Sequence, residues 1–115
     1  NVTSFIAAGL AAHRPDLIGE HYIDGEERVH AALFAQPVIV LAGDGALLAA
    51  AHRRAVNRDV RTAAFTQAMF ATGHDAANRA VFREHLIDDA SLVGLGIVAE
   101  RRAVDKIVKG AKMYA

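Results

Sequence analysis

A chain of 115 residues with 53% apolar and 23% charged residues has the balance of one globular domain, not of a disordered segment. Thirteen Lys plus Arg offset thirteen Asp plus Glu, which excludes a strongly basic nucleic-acid module or an acidic tail at the level of the whole domain. Without cysteine there can be no disulfide or cysteine nucleophile, and no apolar run approaches the ~18 residues of a membrane helix.

The elements follow in chain order. Asn1 or Thr3 can cap a helix over residues 1–13, with Val2, Phe5, Ile6, Gly9 and Leu10 on one face. Pro15 stops it, because the residue before proline avoids the α region. A domain entering directly on an apolar helix is unusual, so residues upstream of Asn1, including a first β-strand, are expected. Residues 17–23 alternate and end in Asp24-Gly25, a two-residue hairpin signal, with a return strand over 26–31. That register sets His21 opposite Arg28. Pro37-Val38-Ile39-Val40-Leu41-Ala42 reads as a strand buried on both faces. Asp44 then caps a helix over 46–57.

Residues 60–65 read as a strand, 66–70 as one helical turn, and 76–85 as a helix entered through Thr72-Gly73-His74-Asp75. Leu92 to Val98 is another buried strand, and Gly94 and Gly96 at alternate positions call for a helix packed close over that face. A short helix over 101–109 completes the order. Strands alternating with helices predict one α/β domain over 1–115, a three-layer α/β/α sandwich on a mixed, about four-stranded sheet.

Two clusters could carry chemistry. In Thr72-Gly73-His74-Asp75-Ala76-Ala77-Asn78-Arg79 a turn feeds a helix whose first amides favour an anion. There His74 is the candidate general base, Asp75 its orienter or the helix cap, Asn78 a polar anchor and Arg79 an anion clamp. The bland reading is a capped helix start with an exposed histidine. In the second cluster, Arg102, Lys106 and Lys109 share one helical face while Val104, Ile107 and Val108 point inward; all three lysines of the chain lie within residues 106–112. Such a face can hold phosphate, or can simply complement the helix dipole. His52, Arg53, Arg54, Arg58 and Arg61 could extend the basic surface, though a solvated helix face explains them as well. The six histidines show no metal-ligand spacing, and there is no Walker loop, dinucleotide fingerprint or nucleophile elbow. Neither a metal nor a cofactor is expected.

The opening Asn1 to Leu10, the segment Met69 to Arg79, and the close Gly94-Leu95-Gly96-Ile97 with Val104-Asp105-Lys106-Ile107-Val108-Lys109-Gly110-Ala111-Lys112 together resemble the domain-of-unknown-function 2000 family, over nearly the whole chain. That family looks like a branch of the type-2 peptidyl-tRNA hydrolase fold. The resemblance implies a mixed four-stranded sheet between helices, a homodimer, and ester cleavage at the tRNA 3′ end. The hydrolases open their first helix with Gly-Lys-x-Ala-x-Gln-x-x-His-Ala. Asn1 stands at the lysine position here, Phe5 or Ser4 at the glutamine, and Ala8 or Ala7 at the histidine, so the hydrolases' acting groups are replaced. Asp105 and Lys106 survive.

Three functions follow. One is a cytoplasmic domain binding a small anionic or nucleotide-like ligand, with ester hydrolysis as its chemistry if it has one. Its site joins Asn1, Thr3, Thr72, His74, Asp75, Asn78, Arg79, Asp105, Lys106 and Lys109. The second is a non-catalytic dimeric scaffold or regulator. The third is a peptidyl-tRNA hydrolase with a rebuilt site, whose tRNA binding would weaken with salt. No membrane partner is expected.

Overall fold

The first helix, α1 (Val2–His13), ends where Pro15 opens a short 3₁₀ turn over Pro15–Leu17. The structure is a computed structural model and describes residues 1–88 and 91–114. Asn1 takes the N-cap position of α1 without a side-chain bond. Next come β1 (Tyr22–Ile23) and β2 (Val29–His30), paired Tyr22 to His30 and Ile23 to Val29.

This hairpin differs from the two-residue turn expected at Asp24-Gly25. The loop runs from Asp24 to Arg28, and Glu27 adopts a left-handed φ of 64°. Asp24 explains the longer loop. Its carboxylate accepts from the amides of Glu26 and Arg28 at 2.9 and 3.0 Å, from Arg28 Nε at 3.2 Å, and meets His30 Nε2 at 2.8 Å. A side chain that satisfies its own turn outcompetes the tighter turn. His21 therefore does not face Arg28.

The hydrogen bond with His30, then that from the Arg28 amide, holds the Asp24 carboxyl below the ordinary carboxylate range. A carboxyl depressed on folding stabilises the hairpin above its unfolded value of about 3.9, and that contribution is lost as pH falls through the folded value. We expect amide exchange within residues 22–30 to accelerate below about pH 4. In Asp24→Asn, which keeps an acceptor for the turn amides but no charge, exchange should be faster at neutral pH and lose this acid step. An acid step of the same size in the variant would overturn the assignment.

The apolar run at 37–42 is not the buried strand its composition predicts. Only Leu41–Ala42 (β3) pairs, antiparallel to Lys112–Met113 (β6), while Val38, Ile39 and Val40 lie 60, 69 and 41% exposed. β6 itself was not predicted. α2 (Gly45–Asn57) is capped as expected, with Asp44 Oδ1 accepting from the Leu47 amide at 2.8 Å. β4 (Thr62–Thr66) leads through a 3₁₀ turn, Gln67–Ala71, to α3 (Asp75–Arg83). β5 (Leu92–Ile97) precedes α4 (Arg101–Ile107).

The α/β class holds, with four α-helices among the described residues. The strands, however, form three antiparallel pairs, β1–β2, β3–β6 and β4–β5, where a single mixed sheet was expected. β4 and β5 form the long pair, from Thr62 opposite Ile97 to Thr66 opposite Leu92, with an irregularity at Phe65/Thr66. α1 covers one face of it. A Cβ on Gly94 would meet Val2 and Ile6, and one on Gly96 would meet Ile6 and Leu10, so α1 rests almost on the backbone, as the alternating glycines predicted. Phe65, 5% exposed, meets both Phe5, at 5.7 Å, and Phe70, at 5.1 Å between ring centroids. α2 packs on β5 and on α4. There Ala51, Ala55 and Ile107 are buried, ringed by Val60, Leu95, Ile97 and Val108.

Candidate functional site

The polar turn is built by its own side chains. Thr72 Oγ1 donates to the Met69 carbonyl at 2.8 Å and also contacts Asn78 Oδ1, tying the end of the 3₁₀ turn to the first turn of α3. His74, with extended backbone, is the N-cap of α3, and its Nδ1 accepts from the Ala77 amide at 3.2 Å. The capping role that the sequence offered to Asp75 thus falls to His74. Asp75 pairs with Arg79 one turn along, and both are well exposed. Asp75 neither caps the helix nor orients the imidazole.

This arrangement fixes what His74 can do. With Nδ1 accepting, the neutral ring carries its proton on Nε2, which faces outward from an exposed side chain. In this tautomer Nε2–H can donate a hydrogen bond. The amides of the first helical turn and the positive end of the helix dipole lie beside it. The turn therefore offers hydrogen-bond donors to an anion.

The other expected site residues sit elsewhere. Asn1 and Thr3 are exposed at the start of α1, which packs on β4 and β5. Asp105, Lys106 and Lys109 are exposed on or just after α4, which packs on α2. α3 packs on the 3₁₀ turn before it, and α1, α3 and α4 have no extended packing with one another. Thr72 and Asn78 are in contact, as are Asp75 and Arg79, with His74 between them in the turn; among the described residues no side-chain hydrogen bond or ion pair links Asn1, Thr3, Asp105, Lys106 or Lys109 to them. Open hollows lie beside α4, about 440 Å³ lined by Glu100, Arg101 and Arg102, and between α1 and the end of α2, about 400 Å³ lined by His13, Val56, Asp59, Val60 and Arg61. Among the described residues no three His, Asp or Glu side chains gather as metal ligands, and no helix is long and apolar enough to cross a membrane.

The basic cluster on α2 contains a residue whose role the sequence reading missed. Arg54 Nη1 donates to the carbonyls of Ile107 and Lys109 at 3.2 and 3.1 Å, satisfying the C-terminal end of α4. Arg58 donates to the Arg54 carbonyl, and Arg53 lies 3.8 Å from Asp88. Of His52, Arg53, Arg54, Arg58 and Arg61, two thus bind backbone carbonyls at helix ends, Arg54 and Arg58, and Arg53 faces Asp88. Nothing local in the sequence marks Arg54, because its partners lie on another helix.

Fold and turn define a small α/β domain with a polar, donor-rich helix start. Over residues 1–115 it matches the family described as "Protein of unknown function (DUF2000)", and the chain belongs to that family. It is 46% identical to a protein of unknown function from Agrobacterium tumefaciens, whose solved structure superposes with a TM-score of 0.97, covering 100% of this chain and 85% of that one. No curated protein matches.

The cap yields a direct expectation. His74→Ala removes the acceptor and should cost about 1 kcal/mol, whereas His74→Asn supplies a strong capping residue and should leave stability unchanged or slightly higher. Thermal melts of the two variants check this. Equal losses in both would show that the imidazole stabilises by something other than the cap.

Proposed function

We propose that this chain is a binding domain for a small anionic, nucleotide-like ligand, met at the Thr72–Arg79 turn. The observation that carries the reading is the capping bond of His74, which turns Nε2–H outward beside the first amides of α3. An incoming phosphate would accept from the imidazole and from those amides, with Arg79, pivoting from Asp75, as clamp. The same bond argues against His74 as the base of a hydrolase in this geometry. In this reading the domain follows the type-2 peptidyl-tRNA hydrolase plan, with α1 on one side of the β4–β5 pair and α2 with α4 on the other, and acts in the cytoplasm as a homodimer.

A second reading is a peptidyl-tRNA hydrolase with a rebuilt site. It rests on the hollow lined by Glu100, Arg101 and Arg102, on the helix that also carries Asp105 and Lys106.

Titration with inorganic phosphate, AMP and bulk tRNA at low and moderate salt tests both, with cleavage of diacetyl-Lys-tRNA followed in parallel. The proposal expects AMP binding that both His74→Ala and His74→Asn weaken at least tenfold, with His74→Asn keeping wild-type stability. AMP binding indifferent to His74, or no anion binding at all, overturns it. Cleavage lost in Lys106→Ala but kept in His74→Asn would establish the second reading instead.

A further inference from the structure

Residue 59 breaks a local rule. α2 closes in a pattern that ends many helices: the Asp59 amide donates to the Val56 carbonyl at 3.0 Å, and the Val60 amide to the Ala55 carbonyl at 2.9 Å. This closure needs a left-handed residue at position 59, and Asp59 has a φ of 56°. Glycine is the ordinary choice there, because a Cβ strains that conformation. Aspartate also sets a carboxylate at the negative end of the helix dipole, where a cation would be favoured. A charge kept against both backbone and dipole is the kind of local exception found at functional positions.

Asp59 lines the hollow of about 400 Å³ together with His13, Val56, Val60 and Arg61. The fold brings these residues to one place. Val2 lies over Gly94 and Leu10 over Gly96, so α1 runs toward Ile97, which pairs with Thr62 at the start of β4. α2 also ends just before β4. Two helix C-termini thus meet at one end of the β4–β5 pair, opposite the end that leads to the Thr72–Arg79 turn. At the end of α1, Pro15 has no N–H to offer the Ala11 carbonyl. The hollow carries charge of both signs. Among the described residues, however, the side chains of His13, Asp59 and Arg61 make no hydrogen bond or ion pair. Their neighbours do: Arg14 pairs with Asp16, and Arg58 donates to the Arg54 carbonyl. Val56, exposed, and Val60, half-buried, supply an apolar wall.

We propose that this hollow binds a small zwitterion, a free α-amino acid with an apolar side chain. The Asp59 carboxylate and the carbonyl ends of α1 and α2 meet its ammonium group. The Arg61 guanidinium and the His13 imidazole meet its carboxylate, and Val56 and Val60 its side chain. A plain anion or a plain cation would leave one of the two charged walls unmatched. The volume lies toward the small end for ligand sites, as a single amino acid requires.

The test titrates the protein with L-leucine, L-valine and L-methionine, following backbone amide chemical shifts and heat. Binding should shift amides within residues 11–14 and 56–61. The N-acetyl derivative of the tightest binder, which lacks the ammonium group, and its amide, which lacks the carboxylate, should each bind at least tenfold more weakly. Asp59→Gly should keep or raise the melting temperature, because glycine suits the left-handed turn and removes the charge from the helix end, yet weaken binding at least tenfold. Arg61→Ala should weaken it as much. Failure of all three amino acids to bind at millimolar concentration overturns the proposal. So does an N-acetyl derivative that binds as well as its parent, since the hollow is then an anion site. Binding that Asp59→Gly leaves unchanged overturns it too. None of these outcomes depends on anion binding at His74.

Discussion

Ile107→Ala should destabilise the domain by about 3 kcal/mol, enough to lower its melting temperature by roughly 10–15 °C. Ile107 is the largest fully buried side chain among the described residues, with 0% exposure. Against it lie Ala51 and Ala55, which have no side-chain length to move into a void, and behind it the β5 residues Leu95 and Ile97. A cavity walled by alanines on a helix cannot collapse, so the loss should fall above the low end of the range for such truncations. In a domain of ordinary stability that is a large fraction of the total. Ile107→Val, which removes one methyl, should cost only about 1 kcal/mol. Urea unfolding of both variants checks the pair. A loss below 1 kcal/mol in Ile107→Ala would mean that the α2–α4 seam is not the centre of the core.

The second large effect is expected at Gly96. This residue is buried, and an added Cβ would run into Cγ2 of Ile6 and come within 3.1 Å of Leu10 Cδ1. Cγ2 of a β-branched residue in a helix is held by a stiff χ1 and cannot swing aside, so α1 itself must lift. Gly96→Ala should cost about 2 kcal/mol and Gly96→Val more, with faster amide exchange along α1. The clash gives a compensating partner. In Gly96→Ala combined with Ile6→Ala, the double variant should be more stable than the sum of the single losses by about 1 kcal/mol or more. Strict additivity would show that Gly96 matters for its backbone and not for the approach of α1. Gly25→Ala, where nothing lies within 4 Å of the new carbon, serves as the neutral control.

What the sequence made legible was set by neighbours in the chain. Pro15 stops α1, Asp44 caps α2, and the Gly94/Gly96 alternation announces a close helix; each signal acts over a few residues and each appears in the fold. What escaped was set at a distance. β6 is a strand only because Leu41 and Ala42 are there to pair with it, and Arg54 looks like any surface arginine until α4 presents its carbonyls. The hairpin failed for a subtler reason: Asp24 is a good residue for the expected turn and a better one for the loop it forms with Arg28 and His30.

The candidate site divides the same way. That a capped helix begins near Thr72 was readable. Which side chain caps it was not, because Thr72, His74 and Asp75 can all accept a bond, and the choice depends on the turn's dihedral angles and on Asn78 and Arg79 engaging the other two. That choice occupies Nδ1 of His74 with the cap.

The clasp between Arg54 and the end of α4 also bears on how the chain reaches this state. Its partners are 53 and 55 residues apart, and the β4–β5 pair lies between them. Closing so long a loop is entropically slow and is rewarded only once both helices are in place. α1, whose seat is the β4–β5 pair, must wait for strands far downstream of it. Assembly is therefore expected to run at the unhurried pace of high-contact-order domains, with the α2–α4 seam as its late and cooperative step.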